Sequence, residues 1–184
     1  TAQAAPADLN EAAAQQEERL TLPIQSNEIE NWPEGPAVGA EGAIVLEANT
    51  GVVLYAKNIH EKLYPASTTK LLTCLIAARE CSMDEIVTFS HDAVFGIQQG
   101  SSNIGIDEGQ AMTMEECLYG ILVASANEVA AAVAEHVAGS QEAFADMMNE
   151  TARELGCQDS HFVNPHGLFD ENHYPSAYDL AIIA

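Results

Sequence analysis

Basic residues are scarce in this chain. Three lysines and three arginines stand against 28 Asp and Glu in 184 residues, a formal net charge of −22. Such a surface repels a phosphate backbone and gains nothing from counterion release, which excludes nucleic acid as a partner. Long apolar runs are lacking as well. The longest, Cys117 to Ala126, contains Ser125 and falls short of the roughly 18 to 20 residues that a membrane span requires. The four cysteines, Cys74, Cys81, Cys117 and Cys157, form no CxxC pair and no ligand-like group with histidine. Cys74 and Cys81 would stand about 10 Å apart on one helix, too far to bridge, and the simplest reading makes all four small core residues. No basic, apolar leader opens the chain. Thr1-Ala2-Gln3-Ala4-Ala5-Pro6 reads as a trimmed terminus, compatible with a removed signal peptide and with a cytosolic protein. What is present suffices for a core, since 47% of residues are apolar and only 18% charged, and the length suits one domain.

Residues 1–37 read as an extended or disordered lead-in, with a short helix over Leu9 to Arg19 that has little apolar face to bury. From Val38 the character changes. Ala43-Ile44-Val45-Leu46 and Val52-Val53-Leu54-Tyr55 flank an Asn/Gly turn and predict a β-hairpin. Ser67 stands as an N-cap before a helix over Thr68 to Glu80, with Leu71, Leu72, Cys74, Leu75 and Ile76 making a broad apolar surface. Ile86 to Phe89 predicts a short strand, and Gly96 to Gly109 an irregular stretch. Thr113-Met114-Glu115-Glu116 has capping-box spacing and opens a helix with Met114, Leu118, Ile121 and Leu122 on one face. Two more helices follow, Asn127 to Ala138 and Ser140 to Leu155, each stopped by a glycine, and Ser176 caps a last one that the chain ends within. One hairpin plus a mostly helical block is an α+β pattern. A lone hairpin is marginally stable, so it is expected to belong to a larger sheet whose other strands this chain does not supply.

Ser67-Thr68-Thr69-Lys70 places a hydroxyl and an amine three residues apart at a helix start, on one face within a single turn. A neutral Lys70 would take the Ser67 proton, provided burial or a nearby cation depresses its pKa. Backbone N–H groups of the first turn are raw material for an oxyanion site. Against this stands a plain N-cap with a solvated lysine. Ser125-Ala126-Asn127 sits between two apolar helices, where a hydroxyl and an amide can point into a cleft; Ser101-Ser102-Asn103 repeats the spacing in the irregular stretch, where positioning is looser. His161, His166 and His173 with Asp159 and Asp170 invite a zinc reading, yet no HExxH and no paired cysteine accompany them, and no metal is expected. A Ser-His-Asp triad through His166 lacks a G-x-S-x-G elbow.

Tyr64-Pro65-Ala66-Ser67-Thr68-Thr69-Lys70 followed by Ser125-Ala126-Asn127 resembles the serine D-alanyl-D-alanine carboxypeptidases, the low-molecular-mass penicillin-binding proteins of the β-lactamase/transpeptidase-like superfamily. The hairpin text Glu47 to Asn58, Met148-Asn149, Leu155-Gly156, Phe162 to Leu168 and Ser176 to Ala181 recur in the same order, so the resemblance covers residues 38–184. It implies a Ser67 acyl-enzyme formed on peptidoglycan stem peptides ending in D-Ala-D-Ala, with Lys70 as base, Ser125 relaying a proton to the leaving amine and Asn127 binding the substrate amide. No cofactor is implied. Penicillins would acylate the same serine, and the location would be extracytoplasmic, with a signal peptide already removed.

Two departures stand out. The middle motif reads Ser-Ala-Asn-Glu128 where the family often has Ser-Gly-Asn-Asp, and the third motif, Lys-Thr-Gly, is absent: no Lys follows Lys70 and no Arg follows Arg153. The expectation is therefore that residues 38–184 are the N-terminal portion of the catalytic domain of a longer enzyme, inactive alone, whose unpaired sheet edge would bring copies together. A class A β-lactamase is the enzymatic rival, though no Glu-x-x-x-Asn stands out after Ser125. A non-catalytic module binding peptidoglycan or an assembly partner is the rival of another class.

Overall fold

A computed structural model describes residues 9–184; the first eight residues of the expected lead-in lie outside the described residues. The order of elements is α1 (Leu9–Leu20), β1 (Ala43–Leu46), β2 (Val53–Lys57), α2 (Lys70–Glu80), β3 (Ile86–Thr88), α3 (His91–Phe95), β4 (Ala111–Thr113), α4 (Met114–Ala124), α5 (Asn127–Ala138), α6 (Gln141–Glu154) and α7 (Ala177–Ile183). Single 3₁₀ turns precede β1 and α2, at Gln25–Glu28 and Ala66–Thr69. Among the described residues the strands form two antiparallel pairs, β1 with β2 and β3 with β4, so the architecture is α+β.

The hairpin forms as its turn chemistry demands. Glu47 folds its carboxylate over the turn and accepts from the backbone N–H groups of Asn49 and Thr50 and from both their side chains, while Gly51 supplies a positive φ of 72°. Those hydrogen bonds, the Thr50 hydroxyl first, hold the Glu47 carboxyl down at about 2. A register shift between Val45 and Leu46 bends the pair. The outer edge of β2 is closed by the preceding segment: Ala56 N–H donates to Ser26 Oγ and Trp32 Nε1–H to Leu54 O. Lys57, wholly buried, ties the end of α1 to the hairpin by donating to Arg19 O at 2.6 Å and to Val38 O at 2.7 Å. An ammonium set against the last carbonyls of a helix is well placed electrostatically.

The helix expected to hold Leu9 to Arg19 is α1. Two short elements escape the sequence pattern. The turn α3 is capped by Ser90, which accepts from Ala93 N–H, and β4 is three residues long with no alternation to read. The capping box at Thr113 and Glu116 closes in both directions, and Ser140 and Ser176 cap α6 and α7 by accepting from Ala143 and Asp179 N–H. Gly139 and Gly156 sit at φ of 85° and 91° where α5 and α6 end.

The core is organised around α5, which packs against α2, α3, α4 and α6. Every residue from Asn127 to Ala134 is buried, so the stripe of Val129 and Val133 is only part of what α5 hides. Its alanines let four neighbours approach closely. One apolar cluster joins Val87, Phe89, Met114, Cys117, Ile121 and Val129; a second joins Leu72, Ile76, Phe144, Met148, Phe162 and Ile183. Leu71 and Leu122, expected inside, are 39% and 57% exposed because both line an open cleft.

Candidate active site

The chain enters the site through strained backbone. Ala66 has a φ of +49°, a left-handed conformation costly for a residue with a Cβ, and the 3₁₀ turn Ala66–Thr69 follows immediately. Ser67 therefore does not cap α2: it lies inside the turn, with its hydroxyl free to face the cleft. Thr68 Oγ1 donates to Pro65 O, and Thr69 Oγ1 meets His173 Nε2 at 2.8 Å. His173 Nδ1 accepts from Val163 N–H, so Nε2 carries the proton and donates to Thr69. Burial holds both His173 and His166 down at about 4, and both are neutral at physiological pH.

Lys70 opens α2 and is 2% exposed. Its Nζ lies 3.1 Å from Ser67 Oγ, 2.6 Å from Asn127 Oδ1 and 2.8 Å from the carbonyl oxygen of His166. A neutral amine has two N–H donors and one lone pair, so it can donate to Asn127 and His166 and accept the Ser67 proton. Burial brings Lys70 down from 10.5 to about 8, with the Glu128 carboxylate pulling the other way. The nearby Cys74 thiol, pushed up to about 12 by its own burial, carries no charge in that range.

Ser125 ends α4 in a left-handed conformation, φ +57°, and this turn aims its Oγ at Ser67 Oγ, 2.9 Å away. Asn127 begins α5 two residues later, its N–H bonded to Ser102 O. The four residues singled out by the two motifs thus meet in one place, beside an open cleft of about 310 Å³ lined by Ser67, Thr68, Lys70, Leu71, Ile121, Leu122 and Ser125. The repeated Ser-x-Asn at Ser101 reaches them through the Ser102 carbonyl; its Asn103 side chain turns away, Nδ2 donating back to Ser101 O.

Three further groups complete the arrangement. His166 contributes its backbone carbonyl to Lys70, while its ring Nδ1 accepts from Leu168 N–H. Gly167, at φ +81°, lies against Ala66. Glu128 is buried, with Oε1 accepting from Ile104 N–H and Oε2 without a partner among the described residues. The histidines weighed as zinc ligands are otherwise engaged: His161 Nδ1 donates to Asn172 O at 2.6 Å, and His166 and His173 are bonded as described.

Solved structures share this fold. Penicillin binding protein 6B from Escherichia coli matches with a TM-score of 0.77 and 34% identity, over 84% of this chain and 51% of that one. Penicillin binding protein 5 from Haemophilus influenzae matches with a TM-score of 0.76 and 30% identity, over 82% of this chain and 45% of that one. The fold is thus that of the penicillin-binding proteins, the β-lactamase/transpeptidase-like class.

Within that class, residues 29–184 match the D-alanyl-D-alanine carboxypeptidase family, and the chain belongs to it. The D-alanyl-D-alanine carboxypeptidase DacF of Bacillus subtilis is 42% identical over 151 residues, 79% of this chain and 38% of its own length. DacD of Salmonella typhimurium is 35% identical over 176 residues, 90% of this chain and 44% of its own. The chain thus spans about two-fifths of the length of these curated relatives.

Proposed function

We propose that these residues carry the acylating machinery of a serine-type D-Ala-D-Ala carboxypeptidase. The observation that carries the proposal is Lys70 Nζ, desolvated and held at 3.1 Å from Ser67 Oγ by Asn127 and His166. Neutral Lys70 takes the proton of Ser67 as Oγ bonds to the carbonyl carbon between the two terminal D-alanines. Ser125 passes a proton to the departing amine as the C–N bond breaks, and Lys70 reprotonates Ser125. Water, deprotonated by Lys70, then adds to the ester, and Ser67 leaves with its proton restored. Asn127 hydrogen-bonds the substrate amide and keeps Lys70 aimed.

In this reading residues 38–184 form the N-terminal portion of the catalytic domain and residues 1–37 lead into it, supported by the position of every site group after residue 65. The substrate is a peptidoglycan stem peptide, and penicillins are inhibitors, since opening their strained amide releases no leaving group. The protein acts in cell-wall maturation and cell shape outside the cytoplasmic membrane, after removal of a signal peptide. No described helix is long and apolar enough to cross a membrane. Copies of the chain associate through β1, whose backbone among the described residues pairs with β2 alone.

Incubation with a penicillin, followed by intact mass and peptide mapping, tests the proposal. A penicillin-sized adduct on the peptide containing Ser67, absent from Ser67→Ala, is the expected result. The same measurement is made on a chain extended to the relatives' full length. Absence of an adduct from both chains would overturn the acylating enzyme in favour of a peptidoglycan-binding module.

A further inference from the structure

Three side chains with different metal affinities meet at the opposite end of the helices that bear Lys70 and Asn127. Cys81, Glu85 and His136 bring a sulfur, a carboxylate oxygen and an imidazole nitrogen within 4.8 Å of one another. Cys81 is the C-cap of α2, Glu85 immediately precedes β3, and His136 lies in the last turn of α5. Cys81 is the one cysteine of the four that is not buried. With Lys70 and Cys81 eleven positions apart along the helix, the group stands about 16 Å from the serine cleft and takes no part in it.

The carboxylate is already oriented. Glu85 Oε1 accepts from Ser82 N–H at 2.6 Å, which turns Oε2 toward His136 Nε2 at 3.0 Å. The turn is itself pinned, since Met114 N–H donates to Glu85 O and Glu115 N–H to Met83 O. The Cys81 thiol stands against the same carboxylate. Outer hydrogen bonds of this kind are what hold metal ligands in place.

We propose that Cys81 Sγ, Glu85 Oε2 and His136 Nε2 form a three-ligand site for a thiophilic divalent transition metal, zinc foremost, with water as the fourth ligand. The donor set of one thiolate, one imidazole and one carboxylate suits zinc's borderline softness. On binding, the Cys81 S–H bond breaks, its proton goes to solvent and the S–Zn bond forms; thiolate and carboxylate together neutralise the ion's charge. Tetrahedral bonds of about 2.0–2.3 Å set ligand atoms about 3.3–3.6 Å apart, so the 3.0 Å contact between Glu85 and His136 opens slightly and the Cys81 sulfur closes by up to about 1 Å, within reach of rotamer adjustment by side chains at helix ends. The metal would join the C-terminal ends of α2 and α5, whose N-terminal ends present Lys70 and Asn127. Its role is a clamp on that helix pair, and the acylation chemistry does not pass through it.

Cobalt(II) titration of the metal-free protein, with zinc competition and thermal melts, tests the site. Expected are a sulfur-to-cobalt charge-transfer band and tetrahedral d–d bands that saturate at one equivalent, are displaced by zinc, and accompany a zinc-dependent rise in Tm. Cys81→Ser abolishes the charge-transfer band and the rise, whereas Glu85→Gln and His136→Gln weaken binding by more than about tenfold. Far-ultraviolet circular dichroism without metal establishes that each variant is folded; any one folded variant suffices for the comparison. A missing band in the parent protein, or binding retained by folded variants, overturns the proposal. Because binding and melting are read without substrate, failure here is distinguishable from failure of Ser67 to acylate.

Discussion

The backbone of Gly167 lies so close to Ala66 that a Cβ at position 167 would fall 1.8 Å from the Ala66 carbonyl oxygen and 2.8 Å from Thr69 Oγ1. Gly167 follows the residue whose carbonyl holds Lys70, and Ala66 precedes Ser67. One contact therefore registers the two segments that position Ser67 and Lys70. Gly167→Ala would meet both this overlap and a φ of +81°. We expect a loss of about 2–5 kcal/mol in stability, measured by urea denaturation, and a slower Ser67 acylation under conditions where the variant remains folded.

Acylation by penicillin should rise with pH and level off above a midpoint near 8, the point to which burial lowers Lys70. Stopped-flow acylation rates between pH 6 and 10 check this; a rate independent of pH over that range would exclude Lys70 as the base. The same shift acts on stability. Between about 8 and the ordinary 10.5 the unfolded chain holds the Lys70 proton and the folded chain does not, so this group's contribution to stability rises with pH across that window. Denaturation of the parent against Lys70→Met isolates the effect from the buried thiols Cys74 and Cys117, which are pushed up to about 12 and act in the opposite direction above about 9. The parent should gain on the variant as pH rises.

Asn127→Asp would set a carboxylate where Asn127 Oδ1 now stands 2.6 Å from Lys70 Nζ. An opposite charge at that distance favours the ammonium, so the acylation midpoint should move up by about 1–3 pH units, and the plateau should fall because the amide donor to the substrate is lost. The pH profile of adduct formation measures it. A reduced plateau with an unmoved midpoint would assign Asn127 to substrate binding alone.

Thr113→Ala removes the hydroxyl that accepts from Glu116 N–H while leaving the serine cleft untouched. The expected cost is about 1 kcal/mol in denaturant unfolding, with the rate of penicillin acylation unchanged.

The parts of the fold that sequence makes legible are those decided within a turn or two. The capping box at Thr113 and Glu116, the caps at Ser140 and Ser176, and the stops at Gly139 and Gly156 each depend on neighbours at most four positions away. Ser67 and Lys70 could be paired on the same ground, since helical spacing sets them on one face. The 3₁₀ turn that carries Ser67 was not legible, because it arises from the packing of Ala66 on Gly167, residues a hundred positions apart. Nor was the exposure of Leu71 and Leu122, which depends on where the cleft opens.

The sequence by itself determined that this is an acidic α+β chain with a serine and a lysine one helical turn apart, and a second serine and an asparagine between two apolar helices. Only the tertiary structure decided that these four groups meet, that the carbonyl of His166 rather than its ring serves Lys70, and that Cys81, Glu85 and His136 converge elsewhere. The physical reason is the range of the forces involved. Caps, turns and helical periodicity are set by bonds between near neighbours in the chain. The lowered proton affinity of Lys70 comes from desolvation, which exists only once α5 and the loop at His166 have closed over it.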